Sequence, residues 1–588
     1  MQLTIRNARN AAIIAALGFT LGCASEQAKY SEANSSVSNE IQFGGSEAEY
    51  APEEATISAE EAPRQQAPAP KADPAPARPA TVAATAADKT KDARGPALNN
   101  RLKKMEAPAD VGGKPDHFED ANKNDELKQA PSESNAQNEG YEDHGVNPMT
   151  DTGKDRFSTF SIDVDTGSYT IARRKLNEGH LPPMAAVRVE EFINYFNYEY
   201  PNPDAGAFGV NIEAAPSPFS VEKDRYLVRI GVQGKHVSAR ERKPVHLTFL
   251  VDTSGSMNTP DKLGLAKESL KVLTRNLKRG DTVALATYAG STRVILPPTG
   301  VIQTRKIMRA IDDLSSGGGT AMGSGMELAY KEAMKAHKPG HVNRVIVLSD
   351  GDANIGRTSY DQILGTIKSY VDEGITMSTI GFGMGNYKDT MMEQLANRGN
   401  GNYYYIDSID EARKVFGEQI DGTLEVIAKD VKIQVEFNPD AVSQYRLIGY
   451  ENRDIADKDF RNDAVDAGEI GAGHSVTALY EVVMDDAYEG TLAYVRMRHK
   501  EPEGYKASEQ TFMLSSSGVY KKLADASKSF QFAAAVAGFA EILRKSPYAS
   551  NLSYDLIKEV AEGSSSRNQK DRQEFIALVE KAKRLDRR

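Results

Sequence analysis

"FLVDTSGSMNTPDKLGLAK", residues 249–267, passes from an apolar run into Asp252, Ser254 and Ser256 on alternate positions, and then into a helical stretch. The apolar run predicts a strand and residues 261–277 predict a helix, so the three oxygen-bearing side chains fall in the turn between them. Side chains at every second position of an extended turn can converge on one point and hold a hard cation. The same residues could instead cap the helix or close turns. Distinguishing the two requires the rest of the chain.

Outward from this stretch, "VHLTFLVD", "TVALATYAG", "NRVIVLSD", "ITMSTIGFG" and "GNYYYID" are short apolar strands. Helical patterns at 261–277, 303–314, 324–336, 360–373, 388–397 and 408–420 separate them. Strictly alternating strand and helix predicts an α/β fold, a doubly wound, mostly parallel sheet with helices on both faces and ligands at the carboxyl ends of its strands. Both "DTSGS" and "SDGDANIG" lie at such ends.

Two further pieces complete a pattern. "SSGGGTAMGSG" places Thr320 in a glycine-rich loop before a helix, and "VLSDGDAN" places Asp350 at a strand end. Asp-x-Ser-x-Ser followed by a distant Thr and a distant Asp resembles the metal-ion-dependent adhesion site of von Willebrand factor type A (VWA) domains, over residues 246–421. The resemblance implies that Ser254, Ser256 and Thr320 touch a metal while Asp252 and Asp350 act partly through water. An all-oxygen donor set without His or Cys suits Mg²⁺ first, then Mn²⁺ or Ca²⁺. Three neutral hydroxyls leave the ion's charge poorly neutralised, so an Asp or Glu of a protein partner is the expected final ligand.

The flanks have a different texture. "RFSTFSIDVDTGSYTIARRKLNEG" reads as strand, turn and helix, and "VRVEEFINYFNYEYPNP" (187–203) as a second, aromatic-rich helix. "FGVNIEAAPSPF" and "RYLVRIGVQGK" precede the α/β unit as strands; "DVKIQVEFNP", "YRLIGYEN", "HSVTALYEVVM" and "GTLAYVRMRHK" follow it. A β-sandwich built from both flanks, with the α/β domain inserted and helices after residue 516, is the expected architecture. "FSIDVDTGSY", "VRVEEFINYF", "VKIQVEFNP", "YRLIGYENR" and "DAGEIGAGHSVTALYE" resemble the extensions of a bacterial family of VWA lipoproteins, the YfbK-like family, from about residue 148 onward. The expected divisions are 1–22, 23–147, 148–245, 246–421, 422–515 and 516–588.

At 588 residues the chain is long enough for roughly three or four domains. A net charge of −11 with no long basic run argues against a nucleic-acid partner. The single cysteine, Cys23, rules out an internal disulfide. It follows Arg6, Arg9 and the apolar "AAIIAALGFTLG", which resembles a lipoprotein signal cleaved before Cys23. That stretch falls short of the roughly 20 residues a membrane span needs. Lipid on Cys23 with Ala24 after it predicts a cell-envelope protein, at the outer membrane. Residues 24–147, rich in Pro, Ala, Glu and Ser, are expected to be a disordered tether.

Other motifs carry less. "DGDANIG" has Ile355 where a calcium loop needs glycine. "GGGTAMGSG" lacks the lysine of a nucleotide-binding P-loop, so no nucleotide is expected. "DVDTGSY" reads as a turn, His474 as a structural hydrogen bonder, and Tyr403–Tyr405 as core and rim. No Gly-x-Ser-x-Gly elbow supports a hydrolase. The sequence therefore predicts a binding protein and not an enzyme. The rival readings are a scaffold braced by the metal and, behind it, a metal-dependent hydrolase with no evident general base.

Overall fold

The computed structural model describes residues 139–587, apart from 239, 353–356 and 386 and the side chains of 357–362. The signal-like segment and Cys23 lie outside the described residues. Strands β1 (Thr150–Asp151) and β2 (Phe157–Ser161) lead to helices α1 (Gly167–Asn177) and α2 (Val189–Asn194). The antiparallel pair β3 (Phe208–Pro216) and β4 (Arg225–Gly234) follows.

The α/β body then runs β5 (Val245–Asp252), α3 (Leu265–Asn276), β6 (Thr282–Tyr288), β7 (Thr292–Gly300), α4 (Thr304–Asp312), α5 (Met322–Ala336) and β8 (Val342–Ser349). It continues through α6 (Arg357–Asp372), β9 (Ile375–Gly381), α7 (Asp389–Arg398), β10 (Tyr403–Tyr405), α8 (Ile409–Arg413) and α9 (Ile420–Leu424). The sheet order is β10-β9-β8-β5-β6-β7, parallel throughout except between β6 and β7. Because both faces are covered, β5 is apolar on both: Leu247, Phe249 and Val251 join one core and Leu250 the other.

The C-terminal region supplies β11 (Val426–Phe437), β12 (Val442–Ile448), β13 (Gly468–Gly471), β14 (Ser475–Met484), β15 (Thr491–Lys500) and β16 (Ala507–Ser515). Helices α10 (Lys528–Leu543), α11 (Tyr554–Gly563) and α12 (Lys570–Asp586) close it. One sheet, β1-β12-β14-β4-β3, mixes strands from before and after the α/β body; the other, β13-β11-β15-β16, receives β2 on β11. Ile230, Tyr480, Val435 and Val495 of the two sheets share one core. The α/β domain is thus inserted into a β-sandwich made by both flanks, as expected.

Several expectations need correction. The second flanking helix ends at Asn194, not near residue 203. The tyrosines beyond it serve tertiary contacts: Tyr198 donates to the Ile193 carbonyl (2.8 Å), and the Tyr200 hydroxyl meets Thr477 Oγ1 (2.9 Å). Strands β1, β7, β13 and β16 are additions to the expected set. Tyr403, Tyr404 and Tyr405 are all buried, so that strand has no rim face. Residues 139–147, assigned to the tether, are packed on the body. The Gly140 N–H donates to the Tyr387 carbonyl (2.9 Å), Lys175 pairs with Glu139 (2.7 Å), and Asn147 Nδ2 donates to the Leu447 carbonyl (3.1 Å).

Candidate functional site

Strands β5 and β8 are parallel neighbours, with Val251 opposite Leu348, so Asp252 and Asp350 leave the sheet side by side at its carboxyl edge. Both are buried. Asp252 accepts the Ser254 N–H at Oδ1 (2.8 Å) and the Ser349 hydroxyl at Oδ2 (3.0 Å). Asp350 accepts the Asp352 N–H at Oδ1 (3.2 Å) and the Lys262 ammonium at Oδ2 (2.9 Å). Ser254 Oγ and Ser256 Oγ stand 3.0 Å apart.

Asp252 and Asp350 each close a turn by accepting the N–H two residues on, but the serine-capping alternative is not realised. Ser254 precedes the single turn Gly255–Met257, yet its side chain makes no cap bond. The next turn, Pro260–Gly264, begins after Thr259, which also makes none, and it runs directly into α3. The serine hydroxyls therefore face one another beside two carboxylates.

Thr320 arrives by a backbone route. The Gly255 N–H donates to the Gly318 carbonyl (3.1 Å) and the Gly317 N–H to the Thr253 carbonyl (2.8 Å), which fastens the glycine-rich loop over the Asp252 turn. Gly318 adopts φ +94°, and a Cβ there would come within 3.0 Å of the Gly290 nitrogen. Glycine is required because backbone meets backbone in a left-handed conformation. Thr320, two residues on, is half-buried at this junction.

Burial raises the Asp252 carboxyl above its ordinary range; its bonds from Ser254 and Ser349 pull it down, and the Asp350 charge pushes it up. Burial, then the Asp252 charge, holds the enclosed Tyr288 hydroxyl far above normal. Concentrated negative charge next to clustered hydroxyls fits a hard cation, since an entering ion would relieve the repulsion between the carboxylates. Among the described residues no group of three or more His, Cys, Asp or Glu could hold a metal ion, so an ion at Asp252 and Asp350 would draw on further oxygens, for which the hydroxyls stand nearby.

Other singled-out residues prove structural. Asp163 and Asp165 of "DVDTGSY" are buried and both pair with Arg453 (3.1 and 3.3 Å), while Tyr403 N–H donates to Asp165 (2.8 Å). His474 packs its ring on Gly422, burial pushes it down to about 4, and its Nδ1 has no partner, so the expected hydrogen bond is not made there. The residue that sequence reasoning missed is Lys262. A signal existed: a lysine in the first turn of a helix opposes the macrodipole and calls for a nearby carboxylate.

Comparison with known proteins agrees with this fold. The von Willebrand factor type A domain family matches residues 246–418. The families described as "von Willebrand factor" and "Uncharacterized protein YfbK, C-terminal" match 135–229 and, in two pieces, 422–490 and 484–585. "Uncharacterized protein YfbK" of Escherichia coli is 38% identical over 470 residues, covering 75% of this chain and 80% of that protein. The magnesium-chelatase 60 kDa subunit of Rhodobacter capsulatus is 33% identical over 130 residues, 21% of this chain and 22% of its own. A solved von Willebrand factor type A protein from Catenulispora acidiphila aligns over 65% of this chain and 91% of its own, at 17% identity and a TM-score of 0.40. The chain belongs to the YfbK family and carries a von Willebrand factor type A domain ahead of a YfbK C-terminal region.

Proposed function

We propose that the protein is a cell-envelope lipoprotein whose VWA domain holds a divalent cation and docks an acidic residue of a protein partner. Asp252, Ser254, Ser256, Thr320 and Asp350 would hold the ion, with Mg²⁺ the first choice and Mn²⁺ or Ca²⁺ the alternatives. The ion supplies Lewis acidity and an open coordination position when bound; the chain's residues orient it and shield it from water on the sheet side. The observation that carries the reading is the pair of serine hydroxyls, free of capping duty, facing each other beside two buried carboxylates.

Lipid on Cys23 would anchor the chain, at the outer membrane by the residue that follows it. Replacement Cys23→Ser should move the protein from the membrane to the soluble fraction and abolish incorporation of labelled fatty acid. Docking is tested with envelope extracts in Mg²⁺, in chelator, and with Asp252→Ala. Partners captured in Mg²⁺ should be lost in both other samples while circular dichroism shows the fold intact. Partners retained without metal would favour a scaffold. One observation speaks for that second reading: Lys262 already gives Asp350 a positive partner without a metal.

A further inference from the structure

Lys262 sits in the turn Pro260–Gly264 with its side chain only 9% exposed, its ammonium 2.9 Å from Asp350 Oδ2. Its stem lies across the backbone of Gly383, in the segment between β9 and α7. A Cβ at Gly383 would stand 2.4 Å from both Lys262 Cγ and Cε, and Gly383 itself is at φ +73°. Neighbouring bonds hold both sides of this arrangement. Asp261 pairs with Arg174 of α1 (2.7 Å), and the Tyr405 hydroxyl donates to the Gly383 carbonyl. The ammonium is thus buried against Asp350, with its stem packed on the Gly383 backbone.

Charge addition gives this placement a consequence. Asp252 and Asp350 contribute −2 and Lys262 +1. A divalent cation alone would exactly offset the two carboxylates; with the lysine in place the occupied site carries one excess positive charge. Asp352 is half-buried, so its charge reaches the cation more weakly than those of the two fully buried carboxylates. Buried groups interact far more strongly than exposed ones, so the excess is felt at the open coordination position.

We infer that Lys262 is a specificity-determining residue of the site: it occupies Asp350, weakens the hold on the cation, and leaves the bound cation short of negative charge so that an anionic ligand must complete it. This rests on the cation-binding reading above. It adds that the lysine, and not the hydroxyls alone, creates the demand for a carboxylate.

The test uses the purified full chain, Mn²⁺ as the cation and acetate as the carboxylate, with water-proton relaxation as readout. Lys262→Met should tighten Mn²⁺ by about tenfold or more, because one unit charge is removed from the cation's vicinity. At saturating Mn²⁺, the acetate needed to quench the enhancement by half should rise at least several-fold. Lys262→Arg, which keeps the charge, should stay near wild type. Should Lys262→Met fail to fold, Lys262→Gln, which can still donate to Asp350, is read in the same way. Mn²⁺ affinity unchanged or weakened in the neutral variants overturns the inference while leaving the cation site standing. No saturable Mn²⁺ binding in wild type, or binding that survives Asp252→Ala, overturns the cation reading and this inference with it.

Discussion

Gly383 shows how far single residues constrain the site. Its positive φ and the Lys262 stem against its Cα exclude any side chain. Gly383→Ala should cost about 1–3 kcal/mol, from left-handed strain plus displaced stem atoms. A lowered midpoint in urea unfolding checks this, and an unchanged midpoint would show that the lysine yields freely. At this scale the candidate residues stand out in the sequence. Asp252, Ser254, Ser256, Thr320 and Asp350 announce themselves because oxygen ligands at fixed spacing stand at strand ends. Lys262 is fainter: a lysine at a helix start opposes the macrodipole, but its carboxylate partner emerges only when the fold brings β8 beside β5.

Elements were legible where their periodicity was undivided and were missed where they served two purposes. Strand β7 contains Pro297 and Pro298, residues that a strand tolerates only at a sheet edge, and it is the edge strand. Strand β16 alternates half-buried and exposed residues without a clean apolar face, as an outer strand of the sandwich can. The aromatic run after α2 mimics helix spacing, but its rings pack in a shared core with α1 and α10. Helix α10, apolar nearly all round, reads correctly as an interior helix. Thirteen of its 16 residues are buried, and among the described residues no helix is long and apolar enough to cross a membrane. Its N-cap is Ser527, whose hydroxyl accepts from the Phe530 N–H (3.1 Å) and donates to Glu213 (2.8 Å). Ser527→Ala should therefore destabilise by about 1–2 kcal/mol, the upper part of the usual capping range. Chemical denaturation reads it directly.

Across the whole molecule, the flanks meet the α/β domain through buried charges that no local pattern reveals. Arg188 joins Glu191 of its own helix to Asp389 of α7 (2.5 Å), and Arg453 gathers Asp163, Asp165 and Glu393. Burial first, then the charges of Glu451 and Asp163, pushes Glu190 up to about 7; burial pushes Glu191 to about 8 against the pull of Arg188. Glu190 thus holds a proton in the folded state that the unfolded chain, at its ordinary 4.5, has released, while Glu191 is held by its pairing with Arg188. The stabilising share of Glu190 is fully present below pH 4.5 and is lost as pH rises through about 7. His246 and His474, each lowered to about 4 by burial, act oppositely: stability falls as pH drops below 6.5. Between pH 6.5 and 8.5 the histidine share fades and Glu190, with Asp165 and Glu469 also raised by burial, dominates, so Tm should fall across that window. Glu190→Gln, which keeps an acceptor for the Tyr450 N–H, should flatten the slope. A Tm that rises over the same window, or a slope untouched by Glu190→Gln, would contradict the assignment.

The central claim is that five oxygen-bearing side chains, distant in sequence, gather around one cation. Anomalous diffraction from crystals grown with Mn²⁺ tests it most directly. The predicted result is one strong peak within roughly 2.0–2.6 Å of the Ser254, Ser256 and Thr320 hydroxyl oxygens. Asp252 and Asp350 should lie just beyond, with water or a carboxylate in the remaining position. A peak elsewhere, or a Thr320 hydroxyl too far from the serines to share an ion with them, would contradict it.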